Sequence, residues 1–320
     1  MRKWIGFLGL FFLLVNCSPR ALAMKGSDTG VNRSAVLGRW DVTIYDIQGW
    51  GVYPSWFDVV ERNKELSGQF VGRYGSARPI RYIHFDGDQL YLSLPRQYER
   101  PLEDLLFVGK VQDGRISGQT RSESGKTIRF HAERAPALEF SGKPEWGETI
   151  ELIQNDLSNW MPRNPNHENK WQVENGMLIN TQRGVDLVTR QKFTDFKLHL
   201  EYHFPEGSNS GIYLRGRYEV QIEDNYGKKP SSLRAGGVYG FLIPDMMAIK
   251  PAGQWNTCDI TFLGREVTVV LNDELIIDHV EIPGITGGAL DSREAEPGPL
   301  MLQGDHGPIR FRNILLTPVK

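Results

Sequence analysis

The sequence predicts an all-β protein, a small up-and-down β-barrel followed by a β-jelly-roll sandwich. Apolar and polar residues alternate in many short runs, and side chains of a strand point to alternate faces, so each run reads as a half-buried strand. The breaks between runs carry turn chemistry, with Asp86-Gly87, Asp113-Gly114 and Ser124-Gly125 the clearest cases. No stretch sustains a 3.6-residue apolar period, and the 8 Trp, 11 Tyr and 15 Phe suit any all-β core.

In chain order, the first eight expected strands are 38–45, 55–61, 67–74, 78–85, 89–94, 105–111, 115–121 and 126–132. A sequential meander of eight strands closes into a barrel over 35–135, which removes exposed edges, with the charged run 96–104 as a rim loop. Residues 136–145 hold Pro136, Gly142 and Pro144 without periodicity and read as a linker. From residue 146 to 320 the pattern is β again, with expected strands at 171–181, 186–191, 193–204, 210–215, 218–223, 257–262, 267–271, 275–280, 300–303 and 309–316. So many short strands in a compact span point to a two-sheet jelly roll.

Met1-Arg2-Lys3 is basic, 4–15 is almost wholly apolar and Ala21-Leu22-Ala23 offers a cleavage site, so residues 1–23 read as a secretory signal peptide. Leu14-Val15-Asn16-Cys17 offers a competing reading as a lipobox, although Asn16 departs from the small residue expected there. Either reading places the protein outside the cytoplasm, periplasmic or extracellular, and the second tethers it to the outer membrane through Cys17. Removal of the leader leaves Cys258 alone, so no disulfide is expected. A net charge of -2 without a basic block argues against a nucleic-acid partner.

The stretch 208–224 forms two alternating runs. Ile212 and Leu214 share one face, Tyr213 and Arg215 the other, while Tyr218, Val220 and Ile222 alternate with Glu219, Gln221 and Glu223. Such a polar face suits a polyhydroxylated ligand and proton transfer to it.

Several segments occur in the order of one family. They are Asp156-Leu157-Ser158-Asn159-Trp160, Trp171-Gln172-Val173-Glu174-Asn175-Gly176, Phe193-Thr194-Asp195-Phe196, Asn209-Ser210-Gly211-Ile212-Tyr213-Leu214-Arg215-Gly216, Tyr218-Glu219-Val220-Gln221-Ile222, Gly253-Gln254-Trp255-Asn256-Thr257 and Leu302-Gln303-Gly304-Asp305-His306-Gly307. Together the span 146–320 resembles the 3-keto-disaccharide hydrolase family. The resemblance implies a concanavalin-like jelly roll that cleaves the glycosidic bond of sugars oxidised to a ketone at C3, by hydrolysis or by C1–C2 elimination. Gly304 is an extra residue relative to the family run, and Asn272-Asp273 stands where Asn-Gly is commoner.

A C3 ketone acidifies the C2 proton, so such a site needs a base, an oxyanion stabiliser and an acid. His306, in a Gly-bounded loop, is the expected base; the bland alternative is a surface histidine. Glu219 is the expected acid, or else a solvated strand-face carboxylate. Arg215 is the expected stabiliser of the enolate, or else an ion-pair partner of Glu219. Tyr213, Gln221 and Gln303 are expected to meet sugar hydroxyls, and Tyr239, in the Gly-rich rim loop 234–240, to stack on a ring. Asp305 either orients His306 or forms the turn. Glu201 and His203 share one strand face, where they form a relay or metal pair or an ordinary exposed face. No H-E-x-x-H, cysteine cluster or calcium loop is present, so no cofactor is assigned and a divalent metal stays open. The partner is an oligosaccharide or glycoside. A lectin-like binding protein and an envelope adhesion protein are the rival readings.

Overall fold

The computed structural model describes residues 33–47, 51–98, 103–122 and 124–320. The expected signal peptide, its competing lipobox and part of the 96–104 loop lie outside the described residues. Arg33–Lys320 forms one compact unit. Its strands are β1 (Gly38–Asp46), β2 (Gly51–Arg62), β3 (Glu65–Ser67), β4 (Gln69–Val71), β5 (Arg78–Pro79), β6 (Tyr82–Asp86), β7 (Gln89–Leu94), β8 (Leu105–Gln112), β9 (Arg115–Arg121), β10 (Thr127–Arg134), β11 (Ile150–Glu151) and β12 (Trp160–Pro162). They continue as β13 (Trp171–Glu174), β14 (Met177–Asn180), β15 (Leu187–Phe193), β16 (Phe196–His203), β17 (Asn209–Leu214), β18 (Tyr218–Glu223), β19 (Trp255–Leu263), β20 (Glu266–Leu271), β21 (Glu274–Glu281), β22 (Gly298–Leu302) and β23 (Ile309–Pro318).

The first sheet runs β5-β4-β2-β1-β10-β9-β8-β7-β6, with β3 on β2. Its two end strands are joined by Ile80-Arg81 alone, so the sheet must curl until they meet. At that junction the Ile80 N–H donates to Gly68 (2.9 Å) and the Arg81 N–H to Ser93 (2.9 Å), tying the two edges together. The expected single strand 78–85 is therefore two strands, broken where the chain crosses the closing seam. The interior is filled by rings, with Phe107 5.2 Å from both Phe70 and Phe130.

The remaining strands make two sheets, β13-β14-β23-β16-β19-β20-β21 with β11 on β23, and β12-β15-β22-β17-β18. One apolar core lies between them, with Leu198, Leu200, Ile260, Phe262 and Phe311 from the first and Leu187, Ile212, Leu214, Val220 and Leu302 from the second. The expected strand 171–181 is a hairpin, β13–β14, because Asn175 and Gly176 adopt φ of 51° and 72° as a two-residue turn. The expected strand 193–204 starts later: Phe193 ends β15 and Phe196 begins β16. Asn272-Asp273 makes the same kind of turn as Asn-Gly, at φ 53° and 68°.

The barrel is locked to the sandwich. Trp56 is fully buried in the sandwich core cluster, with Phe241 edge-on at 5.5 Å. A Cβ on Gly284 would lie 2.3 Å from its indole. Nearby, Arg265 donates to Glu294 (3.2 Å), and the Tyr218 hydroxyl donates to the other Glu294 oxygen (2.6 Å). Glu294 is entirely buried, and Asp41 of β1 lies against it. Burial, followed by the charge of Glu294, pushes the Asp41 carboxyl far above the usual carboxylate range.

Candidate active site

The second sandwich sheet turns Ile212, Leu214, Val220 and Leu302 into the core, so the residues between them share the opposite face. Register then sets the neighbours. Tyr213 pairs with Glu219 on one side and Met301 on the other, and Met301 pairs with Val188. Beyond β18, residues 236–239 add an edge segment: the Tyr239 N–H donates to Glu219 O (2.9 Å) and the Gln221 N–H to Gly237 O (2.9 Å). One row across the face is thus Tyr239, Glu219, Tyr213, Met301, Val188. The adjacent row is Gly237, Gln221, Gly211, Gln303, Asp186, because Gly211 faces Gln221, the Gln303 N–H donates to Gly211 O (3.0 Å), and Leu187 pairs with Leu302.

Glu219 occupies the space that Gly211 leaves. A Cβ on Gly211 would fall 2.3 Å from Glu219 Oε1 and 2.9 Å from its Cγ. Burial pushes the Glu219 carboxyl up to about 8, against the pull of its hydrogen bond with Tyr213, and the charges of Asp186 and Asp305 push the same way as burial. The Tyr213 hydroxyl also donates to Gly287 O (3.0 Å). Gly211→Ala should leave a folded protein that has lost at least about 100-fold in turnover, since a displaced acid forfeits most of its contribution; circular dichroism alongside an activity assay checks this.

Asp186 faces the same surface. Its Oδ1 accepts the Gly304 N–H (3.0 Å) and its Oδ2 accepts Arg163 Nη1 (3.1 Å). Burial and the charge of Asp305 raise its carboxyl, while Gly304 and Arg163 pull it back. Arg163 is fixed further by donating to Gly288 O (2.9 Å) and Ala289 O (3.0 Å). Gln303 is buried, and its amide oxygen has no partner among the described residues, leaving an acceptor on this face.

His306 and Asp305 follow in the loop after β22, half exposed and joined through His306 Nδ1 and Asp305 Oδ1. That hydrogen bond raises the imidazole, burial opposes it, and the charges of Asp305 and Asp186 add to the rise. Asn180 holds the loop by donating to Gly304 O (2.9 Å) and Gly307 O (3.3 Å). The extra Gly304 fits because a Cβ there would meet Val185 O at 2.4 Å and the Trp171 indole at 2.7 Å.

Of the expected site residues, Glu219, Tyr213, Gln221, Gln303 and Tyr239 share this face, and the electrostatic coupling of Asp305 to Glu219 and of His306 to Asp186 puts that loop beside it. Arg215 is not among them. Its φ of 50° ends the strand alternation, and its guanidinium is buried against the first sandwich sheet, donating to Gly264 O (2.9 Å) and lying over the Phe262 ring at 4.9 Å. Glu201 and His203 are also elsewhere, on β16 in the other sheet. Glu201 is engaged by Arg312 (2.8 Å) and Asn313 (2.5 Å), and His203 packs beside Trp255 at 5.4 Å. Among the described residues no group of three His, Cys, Asp or Glu is disposed to hold a metal ion. Asp186 and Arg163 were not singled out from sequence. From sequence Asp186 is simply the first residue of an expected strand, and its place beside Gln303 depends on the distant pairing of Leu187 with Leu302.

Comparison with known proteins gives one family and three similar proteins. The family model described as the 3-keto-alpha-glucoside-1,2-lyase-like domain matches residues 148–317. A 3-keto-disaccharide hydrolase of Bacteroides thetaiotaomicron is 23% identical over 145 residues, 34% of this chain and 50% of that protein, so the chain spans about half the length of this curated relative. A proposed glycosyl hydrolase of Parabacteroides distasonis superimposes with a TM-score of 0.46 at 30% identity, covering 52% of this chain and 82% of that one. The carbohydrate-binding module CBM66 of Bacillus subtilis gives 0.32 at 12% identity, covering 49% and 93%.

Proposed function

We propose, from the premise that this chain belongs to the 3-keto-alpha-glucoside-1,2-lyase-like family, that it cleaves the glycosidic bond of sugars carrying a ketone at C3. The observation that carries the reading is Glu219, a buried carboxyl kept protonated near neutral pH on a face lined by Tyr213, Gln221, Gln303 and Asp186. A proton held there can pass to a departing glycosidic oxygen, which favours cleavage over the lectin-like alternative.

The chemistry follows from the ketone. His306, oriented by Asp305, takes the proton from C2, and the electron pair is delocalised onto the C3 oxygen as an enolate. That pair then forms the C1–C2 double bond as the C1–O bond breaks, and Glu219 gives its proton to the departing oxygen. The products are the unsaturated ketone and the free alcohol, and addition of water across C1–C2 completes a net hydrolysis. Gln303 and Gln221 hold ring hydroxyls, while Arg163 keeps Asp186 in place. The proposed setting is outside the cytoplasm, on the strength of the basic, apolar and Ala-x-Ala sequence of residues 1–23.

The test is incubation of the protein with 3-keto-trehalose and an aryl 3-keto-glucoside, with and without chelator, following release of the second sugar or the phenol. Release that falls at least about 100-fold in His306→Ala supports the assignment. No release from either ketone sugar overturns it.

A further inference from the structure

The row of side chains that contains Glu219 does not stop at the sandwich. Tyr239, its outermost member, is hydrogen-bonded to Tyr98, which belongs to the barrel loop after β7. Burial, then the proximity of Tyr98, raises the Tyr239 hydroxyl above its ordinary value, and Glu219 adds to this, so the three groups lie close together. The described part of this loop, up to Tyr98, is held in place through Gln97. Gln97 donates to Ser76 Oγ (2.8 Å) and accepts from Arg78 (3.3 Å), a side chain that is itself buried. The loop before β5 reaches the same region: the Gly288 N–H donates to Arg73 O (2.9 Å), and Cβ atoms on Gly287 and Gly240 would meet Gly75 O at 2.2 Å and Ala77 N at 2.6 Å. Gly287 is also the acceptor for the Tyr213 hydroxyl, so Tyr213 and Gly287 link the acid to the barrel. Past this contact Tyr98 remains 66% exposed, a large aromatic surface at the rim.

We propose that the barrel completes the sugar site, with Tyr98 forming, beside Tyr239, the platform for the leaving-group half of the substrate. This rests on the cleavage reading above. Direction follows from the acid: the group that receives the Glu219 proton lies on the Glu219 side of the broken bond, whereas His306 and Asp305 follow Gln303 near the other end of the adjacent row. The leaving group therefore extends towards Tyr239 and Tyr98. An aromatic ring with a polar tip suits a sugar, which offers C–H groups on one face and hydroxyls at its edge.

The experiment measures kcat/KM on 3-keto-trehalose, whose leaving group is a ring, and on methyl 3-keto-glucoside, whose leaving group is methanol. Tyr98→Ala should lower the ratio of the two by about tenfold, the order expected from one aromatic contact. Tyr98→Phe, which removes only the hydrogen bond to Tyr239, should hold the ratio within about twofold. An unchanged ratio in Tyr98→Ala, or an equal fall in both variants, overturns the platform while leaving the cleavage reading intact. Calorimetry of 3-keto-trehalose on Glu219→Gln against Glu219→Gln/Tyr98→Ala gives a readout independent of turnover. About tenfold weaker binding in the double variant is expected, and equal binding or none overturns the platform. Cleavage of neither sugar by the unaltered protein, with that tenfold binding difference present, overturns the reaction and leaves the sugar platform standing.

Discussion

Glu219→Gln is expected to lower turnover by about 100- to 10,000-fold, and at the same time to make the protein more stable at and above neutral pH. A carboxamide fills the same space beside Gly211 and can bond to Tyr213 but has no proton to give, and loss of a positioned acid typically removes about 100- to 10,000-fold. The stability change follows from linkage. The carboxyl is raised from 4.5 to about 8 on folding. Below the lower value it is protonated in both states, and its burial has no pH dependence. Between the two values the unfolded chain releases the proton while the folded chain keeps it, so stability falls as pH rises, by about 3 kcal/mol at pH 7. Glutamine does not titrate and escapes that loss. Thermal unfolding at pH 5 and pH 8 should therefore show wild type and variant nearly equal at the lower pH and the variant clearly ahead at the higher. A variant that keeps more than a tenth of the wild-type rate would remove Glu219 from the role of acid.

Arg265→Ala is expected to cost about 3–5 kcal/mol at neutral pH, the usual penalty for leaving a buried charge without its partner. Arg265 is 3% exposed and its guanidinium donates to Glu294, which is wholly buried and already crowded by Asp41. Without the cation the two buried carboxyls lose the positive charge that offsets their burial. The sign is the same as for Glu219: Asp41 is raised above its unfolded value of 3.8 with Arg265 present, and Arg265 is one of the groups that lowers it. Its removal deepens the loss of stability with rising pH, so the variant should approach wild type near pH 4 and fall furthest behind above pH 7. Denaturant unfolding at three pH values measures this; a deficit that stays constant with pH would mean that the loss is of packing, not of charge.

Much of the site was legible because strand alternation is local. The order Tyr213, Glu219, Gln221 on one face needs only the period of two and the apolar identity of Ile212, Val220 and Ile222. The same rule puts Arg215 on this face, and it fails there because Arg215 is the first residue to leave the strand. Nothing in its neighbours announces the positive φ except Gly216, which also fits a turn starting one residue later. Glu201 and His203 were placed on a common face correctly, but which sheet that face belongs to depends on the β16–β19 and β16–β23 pairings, which no local pattern encodes. Asp186 and Arg163 escaped for that reason too. In the fold, the Asn175-Gly176 hairpin is marked in the sequence by an Asn-Gly pair, inside a run that alternation alone reads as one longer strand. The break at Ile80-Arg81 has no such mark, because it arises only once the sheet curls and its two ends need joining.

The glycine contacts between barrel and sandwich constrain how such a protein can diversify. Gly240, Gly284 and Gly287 each admit a barrel atom or ring where any side chain would collide. Exchange of the first part for a different one, by recombination, would have to present a backbone of the same contour at all three points.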